Sequence, residues 1–166
     1  HKRLAKSFDA FHNVREMPDQ DIAGLARSKG IDIAIDLTGY TQNSRSAIFS
    51  YRPAPVQVNY LGYPGTMGAD FIDYIIADHT LIPKKNRRFY SEKIVYMPQC
   101  YQVSNNSRPV PEADVSRAEL GLPETGFVFC CFNHNYKITP REFDIWMRLL
   151  TRVEGSVLWL RRSNKW

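Results

Sequence analysis

The chain predicts an α/β fold built on parallel sheet, and three features carry that expectation. Short apolar runs of strand length alternate with segments of helical period along the 166 residues. Glycine-containing turns follow two of the runs at their carboxyl ends, at Gly39 and at Leu61 to Gly68. A whole strand–helix–strand unit is legible between Phe127 and Leu160. Such alternation favours parallel strands with helices covering both faces of the sheet.

The elements follow in order. Asp19 to Lys29 reads as a helix, with Ile22, Leu25 and Ala26 on one face, Pro18 before it and Gly30 to stop it. Ile31 to Leu37 alternates apolar residues with Asp32 and Asp36 and reads as a strand. Gly39, Tyr40 and Thr41 make the turn that follows. A short helix from Ser44 to Ser50 is expected behind an Asn43 cap. Pro53 and Pro55 break the pattern, and Val56 to Tyr60 forms the next strand. Phe71 to Ala77 is a third strand, with or without a helical turn, and Lys93 to Met97 a fourth. Residues 99–125 are rich in Pro, Ser and Asn with little apolar period, which marks a linker holding at most a helical turn at Val115 to Leu120. The expected division is residues 1–104 as one α/β domain, 105–120 as linker and 121–166 as the start of another. No internal repeat is visible.

The second domain opens with an apolar run, Phe127 to Phe132, read as a buried strand. Thr139 can cap a helix, Pro140 suits its first position, and Glu142 lies three residues after the cap. Phe143, Met147 and Leu150 continue at helical spacing. Gly155 closes the helix, and Ser156 to Leu160 is the returning strand. Lys137 sits just before this helix. Free amides and the helix dipole favour an anion there, and phosphate is the natural candidate.

Composition sets limits. A chain 43% hydrophobic and 23% charged is globular rather than disordered. The net charge of +5 permits attraction to phosphates. Basic residues are scattered, except Lys84–Lys85 with Arg87–Arg88 and Arg161–Arg162, which read as solvated surface. Aromatic side chains lie mostly in the apolar strands, so a nucleic-acid partner is not expected. The three cysteines, Cys100, Cys130 and Cys131, are odd in number and form no CxxC pair. They read as reduced, buried thiols in a cytoplasmic protein. No apolar run approaches the ~20 residues of a membrane span, and no signal peptide is seen. Asp32, Asp36, Asp73 and Asp78 show no spacing that would require glycoside-hydrolase chemistry. His79 reads as a polar loop residue and His1 carries no signal.

Three blocks are more specific: GLPETGFVFCCFNHNYKITP (Gly121 to Pro140), YRPAPVQVNYLGYPGTM (Tyr51 to Met67) and YSEKIVYMP (Tyr90 to Pro98). Together they resemble the catalytic region of the O-linked N-acetylglucosamine transferases, glycosyltransferase family 41, over about residues 8–163. The resemblance implies two facing Rossmann-like lobes of the GT-B type, incomplete here: the latter part of the first lobe and the first βαβ unit of the nucleotide-binding second. It implies inverting transfer of N-acetylglucosamine from UDP-GlcNAc to serine or threonine hydroxyls of a protein acceptor, with no metal or other cofactor. Upstream tetratricopeptide repeats and the rest of the second lobe would complete the protein. The short linker looks bacterial, because some animal members carry a large insert.

Residue by residue, Lys137 matches the lysine that stabilises the diphosphate. His134 stands where relatives carry Gln or Asn, and a neutral imidazole offers one donor in place of an amide. Tyr136 matches a tyrosine beside the sugar. Leu61, Gly62 and Pro64 match positions lining the sugar pocket. His12, in FDAFHNV, is the candidate for a histidine proposed as general base. Two alternatives stay open: a non-catalytic nucleotide- or anion-binding α/β module, and a relative that glycosylates asparagine. Taken alone, residues 1–166 are expected not to turn over substrate, to expose apolar surface, and to self-associate.

Overall fold

Strands β1 (Ile33–Asp36), β2 (Val56–Asn59), β3 (Tyr74–Ala77) and β4 (Lys93–Tyr96) form a four-stranded sheet in the order β1-β2-β3-β4. Every pairing is parallel, with Ile33 opposite Val56, Val58 opposite Tyr74, and Tyr74 opposite Lys93. The structure, a computed structural model, describes residues 5–109 and 115–162. It divides into two compact units, residues 1–106 and 107–166.

In the first unit, helix α1 (Asp19–Ser28) precedes β1 and helix α2 (Ala47–Ser50) lies between β1 and β2. α1 turns its small residue Ala23 fully inward. The register decides which strand residues meet the helices, because neighbours along a strand face opposite ways. One face carries Ala34, Asp36, Gln57, Asn59, Ile75 and Ala77. It is packed by Phe49, Met67 and Ile72 at one end, and by Ile82 with Leu81 and Tyr90 at the other. The opposite face carries Ile33, Ile35, Val56, Val58, Tyr74, Ile76 and Val95, which line an open apolar trough of ≈ 290 Å³. Ile33 is 57% exposed and Ile35 47%. The expected covering of both faces is therefore not met among the described residues of this unit: the packing lies on the face of Ala34 and Ala77, and strand residues alone line the trough. The alternation over Ile31 to Leu37 does form a strand, with Ile33 and Ile35 facing outward and Asp36 inward.

Two local expectations also change. The short helix begins at Ala47 rather than Ser44, and Asn43 adopts a positive φ of 62° instead of capping it. A short polar side chain tolerates that left-handed turn.

The second unit pairs β5 (Val128–Cys131) with β6 (Val157–Leu160) in parallel, with Val128 opposite Val157 and Cys131 opposite Leu160. Helix α3 (Pro140–Arg152) connects them, starting at Pro140 as its sequence requires. Gly155 (φ 67°) makes the turn back into β6. Trp146, Leu149 and Leu150 of α3 meet Phe129 and Leu158 around a small apolar cavity. One helix cannot cover both faces of two strands. Hence Phe127 and Phe132 are more than half exposed, and Cys130 is exposed while Cys131 is half-buried. Cys100 is exposed as well, so the expectation of buried thiols is overturned.

Candidate functional site

In the first unit the carboxyl ends of β1 and β2 carry two interlocked loops. At the end of β1, Asp36 is buried and spends both oxygens on the turn. Its Oδ1 accepts from the amides of Thr38 and Gly39, both at 2.9 Å, and its Oδ2 from the Ser46 hydroxyl at 2.6 Å. At the end of β2, Asn59 is fully buried, and its Nδ2 donates to the carbonyls of Tyr63 (2.9 Å) and Gly65 (3.3 Å). Its Oδ1 has no partner among the described residues. One amide thus shapes the loop that holds Leu61, Gly62 and Pro64.

That loop opens on strained backbone. Leu61 has φ 74°, and the amide of Gly62 donates to the carbonyl of Tyr60 at 3.0 Å. This is a three-residue turn with positive central φ, rare for a residue with a side chain. Gly62 then passes so close to the β1 turn that a Cβ there would lie 2.3 Å from the Leu37 carbonyl oxygen. Gly39, at φ 56°, does the same in return: its Cβ would lie 2.4 Å from Tyr63 Cβ. Tyr40 sets its ring edge-on to Tyr63, centroids 5.7 Å apart. Pro64 is exposed, and its carbonyl accepts from the Tyr90 hydroxyl at 3.0 Å. Glu92 is buried and holds the far side of the loop, accepting from the Met67 amide and from the Thr66 hydroxyl at 2.7 Å.

At the end of β3, Asp78 accepts from the amides of Leu81 (2.7 Å), Tyr101 (2.9 Å) and Thr80 (2.9 Å). These donors, Leu81 first, hold its carboxyl below the usual aspartate range. Tyr101 is gripped a second time, its carbonyl accepting from the Tyr60 hydroxyl at 2.7 Å. His79 stacks on Tyr96, centroids 4.1 Å apart.

His12 is exposed and lies in an irregular segment before α1. The segment after it is held by Arg45, which reaches from the start of α2 to the carbonyls of Val14 (3.0 Å) and Met17 (2.6 Å) and to Asp19. The structure brings Leu61, Gly62 and Pro64 together on one loop and leaves His12 without a described contact to that loop.

In the second unit β5 ends at Cys131 and a 3-10 turn, Asn135–Lys137, leads into α3. The turn closes through the Lys137 amide on the His134 carbonyl and the Ile138 amide on the Asn135 carbonyl, both 3.0 Å. The rings of His134 and Tyr136 stack at 5.6 Å, and Tyr136 is 76% exposed. Lys137 is exposed, and neither ion pair among the described residues neutralises it. The helix start differs from the expected cap. The Thr139 hydroxyl donates to the Glu142 carboxylate and bonds no backbone amide. Pro140 has no N–H and the Phe143 amide bonds the Thr139 carbonyl at 3.1 Å, so in the first turn of α3 the amides of Arg141 and Glu142 are the ones with no cap among the described residues. The structure thus gathers His134, Tyr136 and Lys137 on one turn.

Sequence reading missed the residues that build the first loop: Asp36, Asn59, Tyr90 and Glu92. The signal was present for two of them, since Asp36 and Asn59 are polar residues at the last positions of apolar strands. Among the described residues, no cluster of three His, Cys, Asp or Glu side chains could hold a metal. No described helix is long and apolar enough to cross a membrane.

The sequence profile of Glycosyl transferase family 41 matches residues 1–115 and 104–165. A probable UDP-N-acetylglucosamine–peptide N-acetylglucosaminyltransferase, SEC, of Arabidopsis thaliana is 40% identical over 97% of the chain, which spans 17% of that protein. The SPINDLY protein of the same plant, given the same activity, is 33% identical over 94% of the chain, again 17% of its length. A Caenorhabditis elegans UDP-N-acetylglucosamine–peptide N-acetylglucosaminyltransferase is 25% identical, but its alignment stretches over 272 positions. The SEC alignment needs only 166. A short linker is therefore shared with a plant relative and does not single out bacteria. Among solved structures, an O-GlcNAc transferase mutant of Thermobaculum terrenum superposes with a TM-score of 0.81 at 30% identity, over 96% of this chain and 29% of that one.

Proposed function

Because the chain belongs to glycosyltransferase family 41, we propose that it is part of the catalytic region of an inverting glycosyltransferase. The reaction moves N-acetylglucosamine from UDP-GlcNAc to serine or threonine hydroxyls of a protein acceptor. One observation carries the reading most directly: Lys137 closes the turn after β5 immediately before the open amides at the start of α3. A leaving diphosphate gains charge in the transition state, and a fixed cation with preorganised amides is what such a group needs. His134 donates to the diphosphate or nucleoside from the same turn, and Tyr136 lies beside the sugar. Leu61, Gly62 and Pro64 line the sugar pocket from a loop whose glycine lets backbone come close to a ligand. His12 takes the hydroxyl proton, directly or along a relay. No metal or cofactor is needed when protein charges neutralise the diphosphate.

The remaining assignments rest on the same reading. Tetratricopeptide repeats that present acceptors and the rest of the nucleotide-binding lobe belong to the intact protein. Its place is the cytoplasm, consistent with three free cysteines.

The test uses the intact enzyme that carries this segment. Lys137→Ala should lower the turnover number by about 10²–10³-fold, as loss of one transition-state donor does elsewhere. Lys137→Arg should recover part of it. A turnover number unchanged in Lys137→Ala would refute the assignment, and nucleotide binding without any transfer would refute the transferase reading itself.

A further inference from the structure

Residues Lys84–Phe89 form a 3-10 segment between β3 and β4. Its bonds run from the Asn86 amide to the Pro83 carbonyl at 2.8 Å and from the Tyr90 amide to the Arg87 carbonyl at 3.1 Å. With three residues per turn, side chains at i and i+3 eclipse. Lys84 therefore shares a row with Arg87, and Lys85 shares the next row with Arg88. All four are exposed, and neither ion pair among the described residues includes them. The third row ends in Phe89, 60% exposed, with the Arg88 guanidinium 4.8 Å from its ring centroid.

Tyr90 follows at once, and its hydroxyl is bonded to the Pro64 carbonyl. Ser91 continues the contact, its hydroxyl 3.2 Å from that of Thr66. The basic rows are thus fastened to the loop that holds Leu61 and Gly62. Four like charges crowded onto two short rows repel one another, so the arrangement favours an anionic partner.

We infer that the rows Lys84–Arg87 and Lys85–Arg88 bind a carboxylate-rich stretch of polypeptide, the acidic sequence flanking the acceptor hydroxyl. The acceptor part of this rests on the transferase reading above. Six residues rising ~2.0 Å each make a track of about 12 Å, room for a few carboxylates. A nucleic-acid partner would call for the longer track that follows about 6–10 phosphates. The exposed Phe89 adds an apolar contact that a peptide side chain can meet.

The experiment compares two fluorescent acceptor peptides on the intact protein, identical except that one carries glutamates beside the serine. By anisotropy at low salt the acidic peptide should bind about tenfold tighter, the scale of several exposed charge pairs acting together. The advantage should vanish in the combined variant Lys84→Ser, Lys85→Ser, Arg87→Ser, Arg88→Ser, while UDP-GlcNAc affinity stays unchanged. If that variant does not fold, Lys84→Ser with Lys85→Ser should remove about half of the advantage, and ~1 M salt should abolish it in the unaltered protein. Equal affinity for both peptides, a preference that survives the substitutions, or stronger competition by an oligonucleotide of equal charge would each overturn the inference. Charge-dependent binding without transfer to either peptide would sink the transferase reading and keep this surface. Transfer with no acidic preference would sink this surface alone.

Discussion

Adding one methyl group at Gly62 should unlock the two loops at the carboxyl ends of β1 and β2. A Cβ there would lie 2.3 Å from the Leu37 carbonyl oxygen and 3.1 Å from both Thr38 Cα and the Thr38 carbonyl oxygen. Ordinary contact needs roughly 3.4 Å or more, so backbone must retreat by about 1 Å. The obstacle is main chain, with no flexible side-chain end to swing aside. Overpacking of this kind costs about 1–3 kcal/mol, and the upper half of that range fits a clash with backbone on a turn already pinned by Asp36. Equilibrium urea denaturation of the chain would measure it. Gly24→Ala is the internal control: it lies in α1, and a Cβ there meets nothing within 4 Å. That change should stabilise by about 0.5–1 kcal/mol through helix propensity. In the intact enzyme Gly62→Ala should also raise KM for the sugar donor. A loss of stability below about 0.5 kcal/mol, inside the usual range for surface changes, would show that the loops are not locked at this contact.

Leu61→Gly should relieve the positive φ and stabilise the chain by about 1 kcal/mol, while loosening the Leu61–Gly68 loop and, on the proposed function, weakening donor binding; urea melts with donor titration separate the two. Arg52 hydrogen-bonds Asp73 through both its Nη atoms and holds the carboxyl below the usual aspartate range. A depressed folded value means that the unfolded chain takes up the proton first, so this stability is full above the ordinary aspartate range and is lost as pH falls toward the folded value. Arg52→Met should flatten that part of a stability–pH curve, and an unchanged slope would count against the pair. Maleimide labelling of the native chain should modify Cys100 and Cys130 faster than Cys131, as mass spectrometry of the products would report; equal rates would contradict their different exposure.

Local chemistry made much of the fold readable. Thr139–Pro140 located the start of α3 to the residue, and the apolar runs located the six strands among the described residues to within a few positions. Facing could not be read. Ile33 and Ile35 resemble core residues, yet they line the open trough, whereas Gln57 and Asn59 lie fully buried under α2 and its loops. Burial of those polar side chains depends on carbonyls far along the chain, such as Phe49 and Phe71 for Gln57. The order of the strands carries no local signature either. Of the candidate site, Leu61, Gly62, Pro64, His134, Tyr136 and Lys137 were legible through motifs. The positive φ of Leu61 and the interlock of Gly39 with Gly62 arise only when two loops meet.

The sheet in which every strand lies beside the one before it has a consequence for assembly. Ile33 finds Val56, Val58 finds Tyr74, and Tyr74 finds Lys93, so each closure spans about two dozen residues or fewer. Parallel sheets are usually slow to form because their partners are distant in the chain. Here a ribosome would release these four strands in the order in which they lie side by side, so each can dock on the one already made.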